Sequence, residues 1–240
     1  MSDKRLLLAL ACIGVLNPCV FAAVPREVQY ARSVEHAALC EQIYRDAWVV
    51  LSRKIAAIKT PWAIILDADE TVLDNSEFVA DLRRRGAPMS GQEWDLWVEK
   101  KAAKALPGTR EFLDRVRAAG GEIVYITDRP SSQEEPTREN MRALGLYKDG
   151  DGLLLKLDAK DTKDIRRGCV EEGSPRCKTL GPRKILATFG DSVRDHVELY
   201  GDAAKHLGDE VESDTSWGTT RFVLPNPLYG QWETGYQARY

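Results

Sequence analysis

Trp62-Ala63-Ile64-Ile65-Leu66-Asp67-Ala68-Asp69-Glu70-Thr71 decides how this chain is read. It opens with five apolar residues in a row, without alternation, the mark of a short strand buried on both faces. Such strands belong to parallel sheets covered by helices, where ligands sit beyond the carboxyl ends of the strands. Asp67 and Asp69 leave the strand end two residues apart, so both side chains can face the same crevice. Two carboxylates that close repel unless a cation or a proton lies between them. A capped turn before a helix would also use Asp. Two at this spacing, directly after a buried strand, favour chemistry.

Similar runs recur along the chain: Glu122–Ile126 after a Gly-Gly pair, Leu153–Leu155 after Asp-Gly-Asp-Gly, Ile185–Phe189, and Phe222–Leu224. Between them lie helical patterns. Thr109–Ala119 carries Phe112, Leu113 and Val116, Glu134–Leu144 carries Met141 and Leu144, and a helix start is expected at about 161–167. Strands alternating with helices imply an α/β fold with a mainly parallel sheet. Upstream, residues from about 26 to 58 show apolar positions at helical spacing and read as one long helix or a helical pair ended by Pro61. Cys40 shares that stripe with Tyr44, Trp48, Leu51, Ile55 and Ile58, and reads there as a small buried hydrophobe.

The other strand ends carry polar groups too. Thr127-Asp128-Arg129-Pro130 follows the second strand and offers a hydroxyl. Lys156 to Lys163 follows the third and offers cations, and Gly190-Asp191-Ser192-Val193-Arg194-Asp195 follows the fourth. Each is ordinary alone. Four successive strand ends delivering Asp-x-Asp, Thr, Lys and Gly-Asp-x-x-x-Asp form a specific set.

Composition bounds the rest. The 240 residues hold 37 acidic and 34 basic side chains for a net charge of −3, and 43% are hydrophobic. Near charge balance argues against a nucleic acid polymer as partner. The apolar content argues against intrinsic disorder. Five cysteines are too few for a disulfide-built scaffold.

Residues 1–22 join a basic start (Lys4, Arg5) to an apolar run and then Val20-Phe21-Ala22, the grammar of a cleaved secretory leader. As a membrane anchor the run is short and broken by Pro18. A lipid anchor on Cys12 or Cys19 ranks below the cleaved leader because the flanking residues are poor. A secreted or periplasmic protein is therefore expected, with an outer-membrane lipid anchor as the alternative. In such a compartment Cys169 and Cys177, which flank a turn-rich segment, could close a small disulfide loop. No His or second Cys pair stands near them to make a metal site.

The strand-end set resembles the haloacid dehalogenase (HAD) superfamily of phosphatases. The resemblance extends to its secreted bacterial class C acid phosphatases (subfamily IIIB, which includes lipoprotein acid phosphatases of 5′-nucleotidase type). It is carried by Leu66-Asp67-x-Asp69-Glu70-Thr71, Leu73-Asp74-Asn75-Ser76, Trp94-x-x-Trp97-Val98, Pro107-Gly108, Glu111-Phe112, Leu224-Pro225-Asn226, Tyr229-Gly230 and Trp232-Glu233. It spans residues about 27–236. It implies an α/β fold with a Rossmann-like parallel sheet flanked by helices. One domain over 23–240 is expected, with a helical segment at about 26–58, a core over about 61–240 and a small, mainly helical cap at about 76–106.

The resemblance also implies a chemistry. Asp67 would be the nucleophile of an Mg²⁺-dependent acid phosphatase, forming an aspartyl-phosphate, and Asp69 the general acid and then base. Thr127 would hydrogen-bond a phosphoryl oxygen. Lys163 would neutralise the charge, with Lys160 the alternative in the Lys160, Lys163, Arg166 pattern. The metal would take Asp67, Asp69 through its backbone carbonyl, and Asp191, with Asp195 a ligand or a water-mediated support. A small phosphomonoester is the expected substrate. Trp94 and Tyr229 match positions that stack a nucleobase, and Arg129 is a further expected substrate contact. Trp94, Trp97, Tyr229 and Trp232 could equally be core aromatics or line a homodimer interface. A phosphotransferase, or a non-catalytic phosphate- or metal-binding relative, would use the same scaffold. The sequence departs from the family at Asp128, where Asn is usual. That extra carboxylate is expected to point away from the phosphate or to pair with Arg129. It departs again at Ser192 and His196, and in a longer segment between Lys163 and Asp191.

Overall fold

The computed structural model describes residues 24–177, 180–197, 211 and 213–233. The expected leader over 1–22, with Cys12 and Cys19, lies outside them. Among the described residues no helix is long and apolar enough to cross a membrane.

The first expected strand is β1 (Trp62–Leu66), and all five of its residues are buried. Its side chains alternate between two cores. Ile64 and Leu66 join the larger cluster, and Ala63 and Ile65 the smaller. A strand with a core on each face has no use for polar positions, which is why its sequence runs apolar without a break. It lies at the centre of a five-stranded sheet with β4 (Glu122–Pro130), β5 (Gly152–Lys156), β6 (Lys184–Gly190) and β7 (Arg221–Val223), in the order β5-β4-β1-β6-β7. Every pairing in that sheet is parallel. All five strand ends therefore open on one edge. Between β1 and β4 run β2 (Leu73–Asp74) and β3 (Lys104–Ala105), a short antiparallel pair.

The N-terminal segment is a helical pair, α1 (Arg26–Ala31) and α2 (Val34–Ile55). Ser33 separates them by capping α2, its side chain accepting from the His36 amide. α2 and α5 (Thr109–Ala118) cover the larger core, and α7 (Lys163–Glu172) packs against β4 and β6 over the smaller one. α6 (Glu134–Ala143) borders β5. The expected cap segment holds α3 (Ser76–Arg85) and α4 (Gly91–Lys100). Cys40 is fully buried, and burial pushes its thiol up to about 12.

Cys169 and Cys177 form a disulfide. Both sulfurs sit in the smaller core, so the bridge fastens the longer segment after α7 to the face beneath the sheet.

Candidate active site

The sheet edge gathers the strand-end residues into one cavity of about 410 Å³. Asp67, Asp69, Thr127, Arg129, Lys163, Asp191, Asp195, Trp94 and Tyr229 all line it.

Asp67 follows β1 directly, and its amide donates to the Phe189 carbonyl at 2.9 Å, which ties the residue to the neighbouring strand end. Asp195 reaches the same place from a 3-10 turn (Val193–Asp195) after β6. Ser192 and Asp195 cap that turn reciprocally, with Oδ2 of Asp195 accepting from the Ser192 amide at 2.9 Å. Gly190 makes the approach possible. A Cβ there would stand 2.2 Å from both Cβ and Oδ2 of Asp195. Asp191 is held from the C-terminal segment, where Nδ2 of Asn226 donates to its Oδ2 at 2.8 Å.

Oxygens of Asp67, Asp191 and Asp195 lie within 4.8 Å of one another. Lys163 begins α7 and inserts its ammonium among them, 2.6 Å from Oδ1 of Asp67 and 2.6 Å from Oδ1 of Asp195. The three groups Asp67, Lys163 and Asp195 are each at most 7% exposed. Lys160, the alternative lysine, is exposed on the loop before α7. Burial pushes the Asp67 carboxyl well above its ordinary range; Lys163 opposes that, and the neighbouring carboxylates of Asp195, Asp191 and Asp69 add to it. Burial, with Asp195 beside it, pushes Asp191 up to about 7. An acidic set held ionised at this depth lacks positive charge. All the groups concerned are oxygen donors, and a hard divalent cation fits them.

Asp69 faces the cavity on another side and is not one of the three clustered carboxylates. Arg129 grips it with two parallel bonds, Nη2 to Oδ1 at 2.6 Å and Nε to Oδ2 at 2.9 Å. The guanidinium is 2% exposed, donates also to Oγ1 of Thr137, and lies 5.5 Å from the centre of the Trp94 ring. Trp94 and Tyr229 meet edge to face, with centroids 6.3 Å apart and planes at 80°. They are not the parallel pair that would sandwich a flat base. Thr127 is buried, and its hydroxyl accepts from the Arg129 amide at 3.2 Å.

Of the two expectations for Asp128, pointing away or pairing with Arg129, the pairing is not made. β4 runs on to Pro130, four residues past its expected end, and successive strand residues point to opposite faces. Arg129 therefore turns inward to Asp69. Asp128, which still borders the cavity, turns to the other side and pairs with Arg166, whose Nη2 donates to its Oδ1 at 2.7 Å. Arg166 is itself fully buried and also donates to the Thr127 carbonyl at 2.6 Å. His196 is packed rather than exposed, with Nδ1 2.6 Å from Oγ1 of Thr188 and its ring edge-on to Trp217.

Several residues of the site carried no chemical signal of their own in the sequence. Glu70, Asn75 and Asn226 stood only as members of quoted motifs, and Arg166 only as the end of a lysine pattern. The available signal was a polar side chain inside such a motif.

Residues 20–232 match the family model described as HAD superfamily, subfamily IIIB (Acid phosphatase). Acid phosphatase 1 of Solanum lycopersicum is 26% identical over 165 residues, 69% of this chain and 57% of that protein. The Stem 28 kDa glycoprotein of Glycine max is 26% identical over a similar share, 69% and 58%. The chain thus spans under two thirds of these plant relatives. Among solved structures, the class C acid phosphatase of Bacillus anthracis superposes with a TM-score of 0.73 at 30% identity, covering 86% of this chain and 85% of that one. The Bacillus protein has also been solved with tungstate bound.

Proposed function

The chain belongs to the HAD superfamily, subfamily IIIB, the acid phosphatases, and from that premise we propose that it hydrolyses phosphate monoesters through an aspartyl-phosphate on Asp67. One observation carries the reading: the Lys163 ammonium lies between Asp67 and Asp195, 2.6 Å from each, at the mouth of the parallel sheet. A nucleophilic carboxylate beside an anionic substrate needs such a cation.

In the first step an Asp67 oxygen attacks phosphorus, and the bond from phosphorus to the ester oxygen breaks. The leaving alcohol takes its proton from Asp69. In the second step Asp69 takes a proton from water, and the resulting hydroxide attacks phosphorus. The acyl-phosphate bond breaks, which frees inorganic phosphate and restores Asp67. Arg129 holds the ionised Asp69 carboxylate with both bonds, and when Asp69 carries the proton the bond to the protonated oxygen opens while the other keeps the carboxyl in place. The hydroxyl of Thr127 hydrogen-bonds a phosphoryl oxygen, and Lys163 balances the charge that gathers on the transferring group. Arg166, bonded to the Thr127 carbonyl, steadies that strand end.

Mg²⁺ is the proposed cofactor, held by Asp67, Asp191, the Asp69 carbonyl and, directly or through water, Asp195. Bound there, it would add the positive charge that three clustered carboxylates and a phosphate require. Tungstate, bound in the Bacillus relative, is a tetrahedral oxyanion like phosphate, which supports a phosphate ester as the substrate. Nucleoside monophosphates are the proposed substrates within the phosphomonoester class. Trp94 and Tyr229 line the cavity, and a base would stack on a ring face of either. Secretion is proposed from the leader-like residues 1–22 and from the Cys169–Cys177 disulfide, a bond at home in an oxidising compartment.

The deciding experiment is Asp67→Asn. The variant is expected to fold with an unchanged circular dichroism spectrum and to release no phosphate from p-nitrophenyl phosphate. Turnover comparable to the wild type would overturn the reading.

A further inference from the structure

A relay of hydrogen bonds runs from the cap helix to Asp69. Nε1 of Trp97, on α4, donates to Oδ1 of Asn75 at 2.7 Å. An indole N–H can only donate, so this contact fixes which end of the Asn75 amide is oxygen. The Nδ2 end must then face the acidic turn. It lies 2.9 Å from Oδ1 of Asp69 and 3.0 Å from Oε2 of Glu70. The Asn75 backbone amide donates to Oε1 of Glu70 at 2.8 Å, and the Tyr229 hydroxyl donates to Oε2. Asn75 is fully buried and Trp97 is 6% exposed. Glu70 holds φ at +50°, a left-handed conformation costing about 1 kcal/mol in a residue with a Cβ. Its carboxylate, bonded to Asn75 and Tyr229, locks that turn.

We infer that Asn75 is a positioning residue for the Asp69 carboxyl, and that Trp97 sets the amide through which it acts. This rests on the reading of Asp69 as the group that protonates the leaving alcohol. Arg129 supplies two anchors to Asp69 along one edge of its carboxyl. Asn75 supplies the third, on Oδ1. Without it the carboxyl keeps its guanidinium partner but can pivot about it, away from the ester oxygen. The cap helix that carries Trp94 into the cavity is thus tied, through Trp97, to the proton donor.

The test uses the leaving group. An alkoxide cannot depart without a proton, whereas p-nitrophenolate is stable as the anion and needs little help. kcat/KM reads the steps up to formation of the aspartyl-phosphate. It is to be measured with p-nitrophenyl phosphate and with 2-phosphoglycerol for the wild type, Asn75→Ala and Trp97→Phe. Asn75→Ala is expected to lower the alkyl-to-aryl ratio of kcat/KM by about tenfold, a fraction of what general-acid catalysis supplies. Trp97→Phe, which keeps the ring and removes the donor, should shift the ratio the same way by about threefold. If Asn75→Ala does not fold, Trp97→Phe carries the test alone. A ratio that stays at the wild-type value, with both substrates slowed in parallel, is what a merely structural Asn75 produces and overturns the inference. A wild type that hydrolyses neither substrate overturns the phosphatase reading instead.

Discussion

The Lys163 ammonium stands 2.6 Å from Oδ1 of Asp67, a residue 96 positions away in the sequence. The contact is buried and shared with Asp195. Removing the ammonium would leave two buried carboxylates facing each other without the cation they share. Lys163→Met is therefore expected to destabilise the fold by about 3 kcal/mol or more. It should also lower kcat/KM by at least about 100-fold. Lys163→Arg should not restore activity, because a planar fork cannot replace a point charge between two oxygens. Urea titration and a steady-state assay check both parts. Wild-type stability in Lys163→Met would show that the three charges are not held as an ionised cluster.

Gly190→Ala probes the approach of Asp195. The added methyl would stand 2.2 Å from Cβ and Oδ2 of Asp195, so the 3-10 turn has to move. Overpacking of this kind costs about 1–3 kcal/mol. The larger effect is expected on the cation. If Mg²⁺ is the cofactor it raises the melting temperature of the wild type, and that rise should shrink or vanish in Gly190→Ala, as read by calorimetry over a Mg²⁺ titration. An unchanged response would place the cation away from Asp195.

In metal-free protein Asp191 is pushed up to about 7 by burial and by Asp195. Its unfolded value is near the ordinary carboxyl range, about 3.9. Between those values the folded state binds the proton more tightly than the unfolded state. Stability from this group is then greatest below pH 4 and falls as pH rises from about 4 through about 7. In EDTA, Asp191→Asn should melt above the wild type at pH 7.5, and the difference should narrow as pH falls and close below about pH 4. Added Mg²⁺ should reverse the order at pH 7.5, since only the wild type keeps the carboxylate for the ion. Parallel melting curves across the pH range would contradict the shift.

The sheet and its edge were legible because burial on both faces leaves an unmistakable apolar run. β1 fills two cores with alternate residues, and its end delivers Asp67 and Asp69. The break between α1 and α2 was left open by periodicity. It is decided by Ser33, a cap whose effect depends on one backbone conformation. The partner of Arg129 was not legible. Sequence neighbours suggested Asp128, but the strand's continuation to Pro130 sends the two side chains to opposite faces. The grip of Asn226 on Asp191 joins segments 35 residues apart, and the Asn75 relay depends on a positive φ at Glu70. Neither leaves a periodic trace in the sequence.

The three cysteines among the described residues divide into two chemical populations, and a reductant should separate them. Cys169 and Cys177 close a loop with a sequence separation of 8. Chain-entropy arguments assign a loop of that size about 2–3 kcal/mol of stabilisation. Cys40 is fully buried, with its thiol pushed up to about 12, so almost none of it is thiolate at neutral pH. Native protein is therefore expected to take up no iodoacetamide at Cys40, Cys169 or Cys177 without reductant, and to label Cys40 only on unfolding. Dithiothreitol should lower the urea midpoint of the wild type and leave a Cys169→Ala/Cys177→Ala variant unmoved. The urea slope should change little, because a short loop adds little exposed surface on unfolding. The bridge ends nine residues of chain at the far end of the helix that begins with Lys163. Its loss should therefore cost stability without slowing turnover below the new melting temperature. A fall in kcat in step with reduction, at a temperature where the reduced protein stays folded, would show instead that the bridge sets the position of Lys163.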